Sequence, residues 1–148
     1  MKLYLAVLAC LIAARPAAVQ DWAIIPDPTI TPGAVRTTDV GEICSTPTSE
    51  LRRWNRDRDN RILSEYGLPP GPHPSVEIDH LIPLCLGGAD TDSNLWPEPR
   101  RSLEPEFNAE RKDDLEHRLC QLVCAGSLDA RGAQRLESYL RCFRHAAK

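Results

Sequence analysis

Val76-Glu77-Ile78-Asp79-His80-Leu81-Ile82-Pro83-Leu84-Cys85-Leu86-Gly87-Gly88-Ala89-Asp90-Thr91-Asp92-Ser93-Asn94-Leu95-Trp96 gathers an acid–imidazole pair, a double glycine and an asparagine into one short stretch. The apolar run Val76 to Ile78 reads as a strand that Asp79 and His80 bring to an end. Successive strand side chains point to opposite faces, so Asp79 and His80 serve one site only where the strand twists or stops. Pro83 has no ladder donor and marks the end of regular pairing. Gly87-Gly88 lets the chain fold back, because glycine takes positive φ without steric cost. Asn94 arrives on the return.

The ordered set Asp79, His80, Pro83, Gly87, Gly88, Asn94, Leu95 resembles the HNH (ββα-metal, His-Me finger) nuclease superfamily. A wider likeness, to a group of small secreted bacterial proteins with an HNH-like core, rests on six further blocks. These are Thr31-Pro32-Gly33-Ala34, Ile43-Cys44, Glu77 to Leu84, Asn94-Leu95-Trp96-Pro97-Glu98, Lys112-Asp113-x-Leu115-Glu116 and Val123-Cys124-Ala125-Gly126. The resemblance implies an α+β fold, a ββα-metal finger (short hairpin plus helix) embedded in a mainly helical small domain.

It also implies a metal-dependent endonuclease that hydrolyses phosphodiester bonds, in DNA more than RNA and with little sequence preference. An imidazole, neutral near pH 7, can take a proton from water, which fits His80 as general base. Asp79 fits a metal ligand, since hard divalent ions prefer oxygen. By resemblance Asn94 braces the loop that aims His80, its amide bonding backbone on both sides of the turn. The helical ligand of the family falls at Asn108, equally readable as a helix cap, with Glu110 a second candidate where related proteins carry histidine. An oxygen-only set points to Mg²⁺, with Mn²⁺ as a substitute. Lys112 and the pair Arg100-Arg101 are candidate phosphate contacts. A rival reading is a secreted binding or structural module that keeps the fold without catalysis.

Around this core the chain divides into an approximate signal peptide over 1–20, an extended arm over 21–47 and the HNH-like domain over 48–148. Leu3 to Ala14 is apolar, follows Met1-Lys2, and is too short for a span of roughly twenty residues, so it reads as a cleaved export signal. That places the product in the periplasm or outside the cell, with no stable membrane association. Lys and Arg number 18 against 21 acids; losing Lys2 and Arg15 leaves 16 against 21, a balance of −5. Phosphate recognition must therefore rest on local charge. The prolines and glycine of the arm (Pro26, Pro28, Pro32, Gly33) leave two readings, an arm laid over the domain and pinned by Trp22, Ile24 and Ile25, or a loose N-terminal linker.

Thr48 or Ser49 can cap a helix running to about Tyr66, with Leu51, Trp54, Ile62 and Tyr66 on one side and Arg52, Arg53, Arg56, Arg58 and Arg61 on the other. That basic side is either solvated or follows a phosphate backbone. Gly67 ends the helix. Pro97 and Pro99 are expected to break regular structure after Trp96. A helix from Asn108 to Cys124 carries the stripe Leu115, Leu119, Leu122, Val123. Ser127 can cap a last helix with Leu136, Tyr139, Leu140 and Phe143 as its buried side. His73, His117 and His145 are read as surface residues, and Trp96 as core.

Export favours disulfides for Cys44, Cys85, Cys120, Cys124 and Cys142, and the absence of a Cys-x-x-Cys pair argues against a zinc ribbon. The resemblance implies a Cys44–Cys124 bridge. Cys120–Cys142 is a second expected pair, which would leave Cys85 as the odd thiol.

Overall fold

The computed structural model describes residues 25–100 and 109–138. The leader, Trp22, Ile24, Arg101, Asn108, Tyr139, Leu140, Cys142, Phe143 and His145 lie outside the described residues. The fold is α+β: helices α1 (Val40–Ser45), α2 (Thr48–Leu51) and α3 (Arg56–Glu65), strands β1 (Val76–His80) and β2 (Leu95–Pro99), then helices α4 (Ala109–Cys124) and α5 (Ala130–Ser138).

β1 and β2 form an antiparallel pair in which His80 faces Leu95, Asp79 faces Trp96 and Val76 faces Pro99. β2 runs through both prolines, contrary to the expected break. Every other residue of a two-stranded pair turns its N–H outward, and Pro97 and Pro99, two apart, both fall in that outward set. Alternation sends Val76 and Ile78 to one face, where they meet Leu63 and Leu68 at the end of α3. Asp79 goes to the other face, toward α4. A hairpin alone is marginal in water, so this two-sided cover is what holds it.

Pairing ends at His80, and a 3₁₀ turn over Leu84–Leu86 reverses the chain. Gly87 closes that turn at φ 84°. Gly88 donates to the Pro83 carbonyl at 2.9 Å, and a Cβ there would collide with the carbonyl of Ile82. Only glycine fits both positions. The arm lies against this turn: Arg36 donates to Gly87 O at 2.7 Å, Ala89 to Ala34 O at 2.9 Å, and Gly33 to Ser93 O at 2.8 Å. Thr31 is buried, its hydroxyl bonding Leu95 O at 2.8 Å. The segment expected as wholly extended also contains α1, capped by Asp39, which sinks Ile43 into the main core.

The single helix expected over Thr48 to Tyr66 is two. The chain leaves α2 at Arg52 and restarts at Asn55, whose side chain accepts from the N–H groups of Asp57 and Arg58. Asn at such a position is a strong N-cap, and Asp57 and Asp59 in the first turn favour the same start. The break throws Trp54 out of the expected stripe, to 80 % exposed. The expected basic side is also largely neutralised: Arg52 pairs with Asp79 at 2.7 Å, Arg58 with Asp90 at 3.1 Å and Arg61 with Asp92 at 2.6 Å.

α4 buries Ala109, Lys112, Leu119 and Val123, leaving Leu115 and Leu122 at the exposed flank. In α5 the buried face is Ala130, Ala133, Gln134 and Glu137, while Leu136 is exposed. Asp129, rather than Ser127, caps this helix, accepting from Gly132 at 2.9 Å. Two disulfides tie the core: Cys44–Cys124 and Cys85–Cys120. The second corrects the Cys120–Cys142 pairing. The turn over Leu84–Leu86 packs on α4, bringing Cys85 to a Cα distance of 5.9 Å from Cys120, within bridging range. Cys120 and Cys124, one helical turn apart, share a face. In the chain-entropy model each bridge restrains the unfolded chain by about 4 kcal/mol. No helix of the described residues is long and apolar enough to cross a membrane.

Candidate active site

β1 delivers His80 at its last position, 3 % exposed, with polar groups at both ring nitrogens. Nε2 lies 2.9 Å from Asp90 Oδ1, and Nδ1 lies 3.3 Å from Arg52 Nη2. A guanidinium only donates, so Nδ1 accepts and Nε2–H donates to Asp90, which assigns the neutral Nε2–H tautomer from its partners. Asp90 is fixed in turn by Arg58 at 3.1 Å and by the Arg53 N–H at 2.9 Å. Burial would raise the Asp90 carboxyl, but these contacts and His80 hold it below the ordinary carboxylate range.

Asn94, fully buried, uses its whole side chain on backbone. Oδ1 accepts from Ile82 N at 2.9 Å and Ala34 N at 3.3 Å, while Nδ2 donates to Ile82 O and Ala89 O, both at 2.9 Å. It locks the two ends of the turn that follows His80, and the arm, to one another.

Asp79 leaves the strand on the opposite face, yet Arg52 Nη2 touches Asp79 Oδ1 at 2.7 Å as well as the His80 ring. Lys112 Nζ meets Asp79 Oδ2 at 2.6 Å, Glu98 Oε2 at 3.6 Å and Glu116. Lys112 is therefore a buried cation inside an acid cluster, not a free phosphate contact. Burial would lower its ammonium, but Asp79, Glu98 and Glu116 outweigh that and raise it. Burial likewise would raise Asp79, but the Lys112 ammonium, by charge and hydrogen bond, holds it well below the ordinary range. Burial dominates elsewhere, pushing Glu98 up to about 9, Glu116 to about 7 and Glu137 to about 8. Glu137 is fully buried, and neither of its carboxylate oxygens has a hydrogen-bond partner among the described residues.

A cleft of about 340 Å³ opens here, lined by Thr48, Arg52, Asp79, His80, Pro83, Leu84, Cys85, Asp113, Glu116 and His117. Oxygens of Asp79, Asp113 and Glu116 come within 4.8 Å of one another, a spacing and donor type that fit a hard divalent cation. Two of these acids sit three residues apart on α4, where side chains share a face. Glu110 is exposed, one turn nearer the helix start than Asp113, and is not of this group. Arg100 pairs with Glu77 at 2.8 Å just beyond the far end of the hairpin, roughly 17 Å of strand from His80, and does not line the cleft.

Arg52, Asp90, Glu98, Asp113, Glu116 and His117 thus belong to the site without having been assigned to it from sequence. For Asp113 and Glu116 a signal existed, the Lys112-Asp113-x-Leu115-Glu116 block. For Asp90 it was the placement just after the double glycine. No family model, curated protein or solved structure matches this chain.

Proposed function

We propose that the protein is a divalent-metal-dependent phosphodiesterase, a nuclease acting on DNA, with His80 as general base. The observation that carries this reading is the polarity of the His80 ring. Asp90 holds Nε2–H, and Nδ1 sits 3.3 Å from Arg52 Nη2 and 3.9 Å from Asp79 Oδ1, two side chains that line the cleft, with an oxygen trio suited to a cation beside them. A base needs both a fixed ring and an accessible acceptor nitrogen. Arg52 rests on that nitrogen, and a phosphate is the natural competitor for a guanidinium, which it binds bidentately. Movement of Arg52 onto substrate phosphate frees Nδ1 to take a proton from the attacking water.

Asp79, Asp113 and Glu116 would hold the ion, Mg²⁺ or Mn²⁺, whose contribution is Lewis-acid stabilisation of the leaving oxygen. Asn94 acts only through the backbone, as a positioning residue. Two disulfides fit the expected oxidising, extracytoplasmic setting. Supercoiled plasmid incubated with the oxidised protein and Mg²⁺ or Mn²⁺ is expected to be nicked, and His80→Ala to remove the nicking. Intact plasmid with both ions, or equal nicking by His80→Ala, overturns the reading.

One observation favours the rival, a binding module without catalysis: both oxygens of Asp79 already hold cationic side chains. That module takes up metal in a calorimetric titration and leaves plasmid, single strand and RNA uncut.

A further inference from the structure

Trp54 stands on the irregular segment between α2 and α3, 80 % exposed, with the Arg52 guanidinium 5.4 Å from its ring centroid. Its backbone is not loose. The neighbouring Arg53 donates its N–H to Asp90 Oδ2 at 2.9 Å, and its carbonyl accepts from Arg58 at 2.5 Å. The same Asp90 holds His80, so the indole projects from a short chain segment tied directly to the candidate base. Arg53 and Arg56 on either side are exposed and hold no acid among the described residues, whereas Arg52, Arg58 and Arg61 each do. An indole in water beside two unneutralised guanidiniums, on an acidic chain, is a local match for a nucleobase followed by its phosphates.

We infer that Trp54, flanked by Arg53 and Arg56, is a stacking platform at the rim of the cleft that takes an unpaired nucleobase of a single-stranded nucleic acid. The inference rests on the phosphodiesterase reading for its purpose, but its binding chemistry is separate. A duplex keeps its base faces stacked against one another, so an exposed indole distinguishes single strand from duplex. Stacking is tolerant of base identity and of the sugar, so DNA and RNA share the recognition.

Fluorescence anisotropy tests it on the full oxidised chain in EDTA at low salt, with His80→Ala as a second non-cleaving background. The probes are labelled oligodeoxyuridylate and oligouridylate of about a dozen residues, which differ only in the sugar, and a duplex of the same length. The single strands are expected to bind more tightly than the duplex. Trp54→Ala is expected to weaken them roughly 5- to 100-fold, with duplex affinity within about twofold and the urea midpoint unchanged. Trp54→Phe retains most of the affinity. Oligodeoxyuridylate binding better than oligouridylate assigns DNA as the source, and the reverse assigns RNA. Single-strand affinity unaltered by Trp54→Ala, or lost equally for the duplex, overturns the platform. Because no cleavage is read, a protein that fails to nick plasmid yet shows the Trp54-dependent preference refutes only the hydrolytic reading.

Discussion

Asp90 Oδ1 lies 2.9 Å from His80 Nε2, on the opposite edge of the ring from Arg52. The carboxylate therefore fixes which nitrogen carries the proton and which keeps the lone pair. His80→Ala is expected to lower plasmid nicking about 10²- to 10⁴-fold, the usual range for loss of a general base. Asp90→Asn, which keeps the shape but removes the charge, is expected to cost at least about tenfold. Initial nicking rates against Mg²⁺ concentration check both.

Removing the Asn94 side chain strands four backbone groups, those of Ile82 (both), Ala34 and Ala89. Asn94→Ala is expected to destabilise the fold by roughly 3 kcal/mol, because groups left unpaired in the interior lose their solvation without compensation. Urea unfolding measures it, and a change below about 1 kcal/mol would show that water replaces the amide.

Gly88→Ala should be worse tolerated than Gly126→Ala. Both positions are glycine, but the added Cβ at 88 strikes the Ile82 carbonyl, whereas at 126 nothing lies near and only the φ of 71° is strained. About 1 kcal/mol is expected at 126 and more than about 3 kcal/mol at 88. Thermal melts of the two variants rank them.

Stability should fall as pH rises through neutrality. Glu98, Glu116 and Glu137 have folded-state values near 9, 7 and 8, above the 4.5 of an unperturbed glutamate, so the folded chain binds these protons more tightly than the unfolded one. Their contribution is fully present below about pH 4.5 and is lost as pH climbs through 7 to 9. Asp79 and Asp90, held low, act oppositely: their contribution is present above the unfolded value of 3.8 and disappears as pH drops through their folded values. Glu137→Gln removes one alkaline loss and should reduce the decline between pH 6 and 9 by roughly 2–3 kcal/mol. Urea midpoints at the two pH values provide the comparison.

Peptide mapping of the non-reduced protein should return Cys85 linked to Cys120 and Cys44 linked to Cys124. Cys85→Ala should lower stability by about 2–4 kcal/mol.

The hairpin and its turn were legible because their signals are local: Pro83, Gly87, Gly88 and Asn94 stand at fixed offsets from His80, and each has a backbone reason to be there. The acid cluster was not. Asp79, Glu98, Glu116 and Glu137 are spread over four elements, and a lysine at position 112 between charged neighbours reads as solvent-facing until the hairpin is set against α4. The break before α3 could have been read from Asn55 with Asp57, but the arginines around it suggested one continuous basic side. The Cys120 partner depended on where the 3₁₀ turn would land, which no spacing reveals. In α5 Glu137 faces inward where Leu136 was expected to, a burial that the polar identity of the residue conceals in the sequence.

Both covalent links reach α4 in its second half, at Cys120 and Cys124, while its first half, bearing Asp113, leans on the ionic grip of Lys112. Thiol-keeping surroundings would leave the helix without either rivet and the cation pocket only loosely assembled. The cleft is thereby an oxidation-dependent assembly, complete only once both bridges have closed.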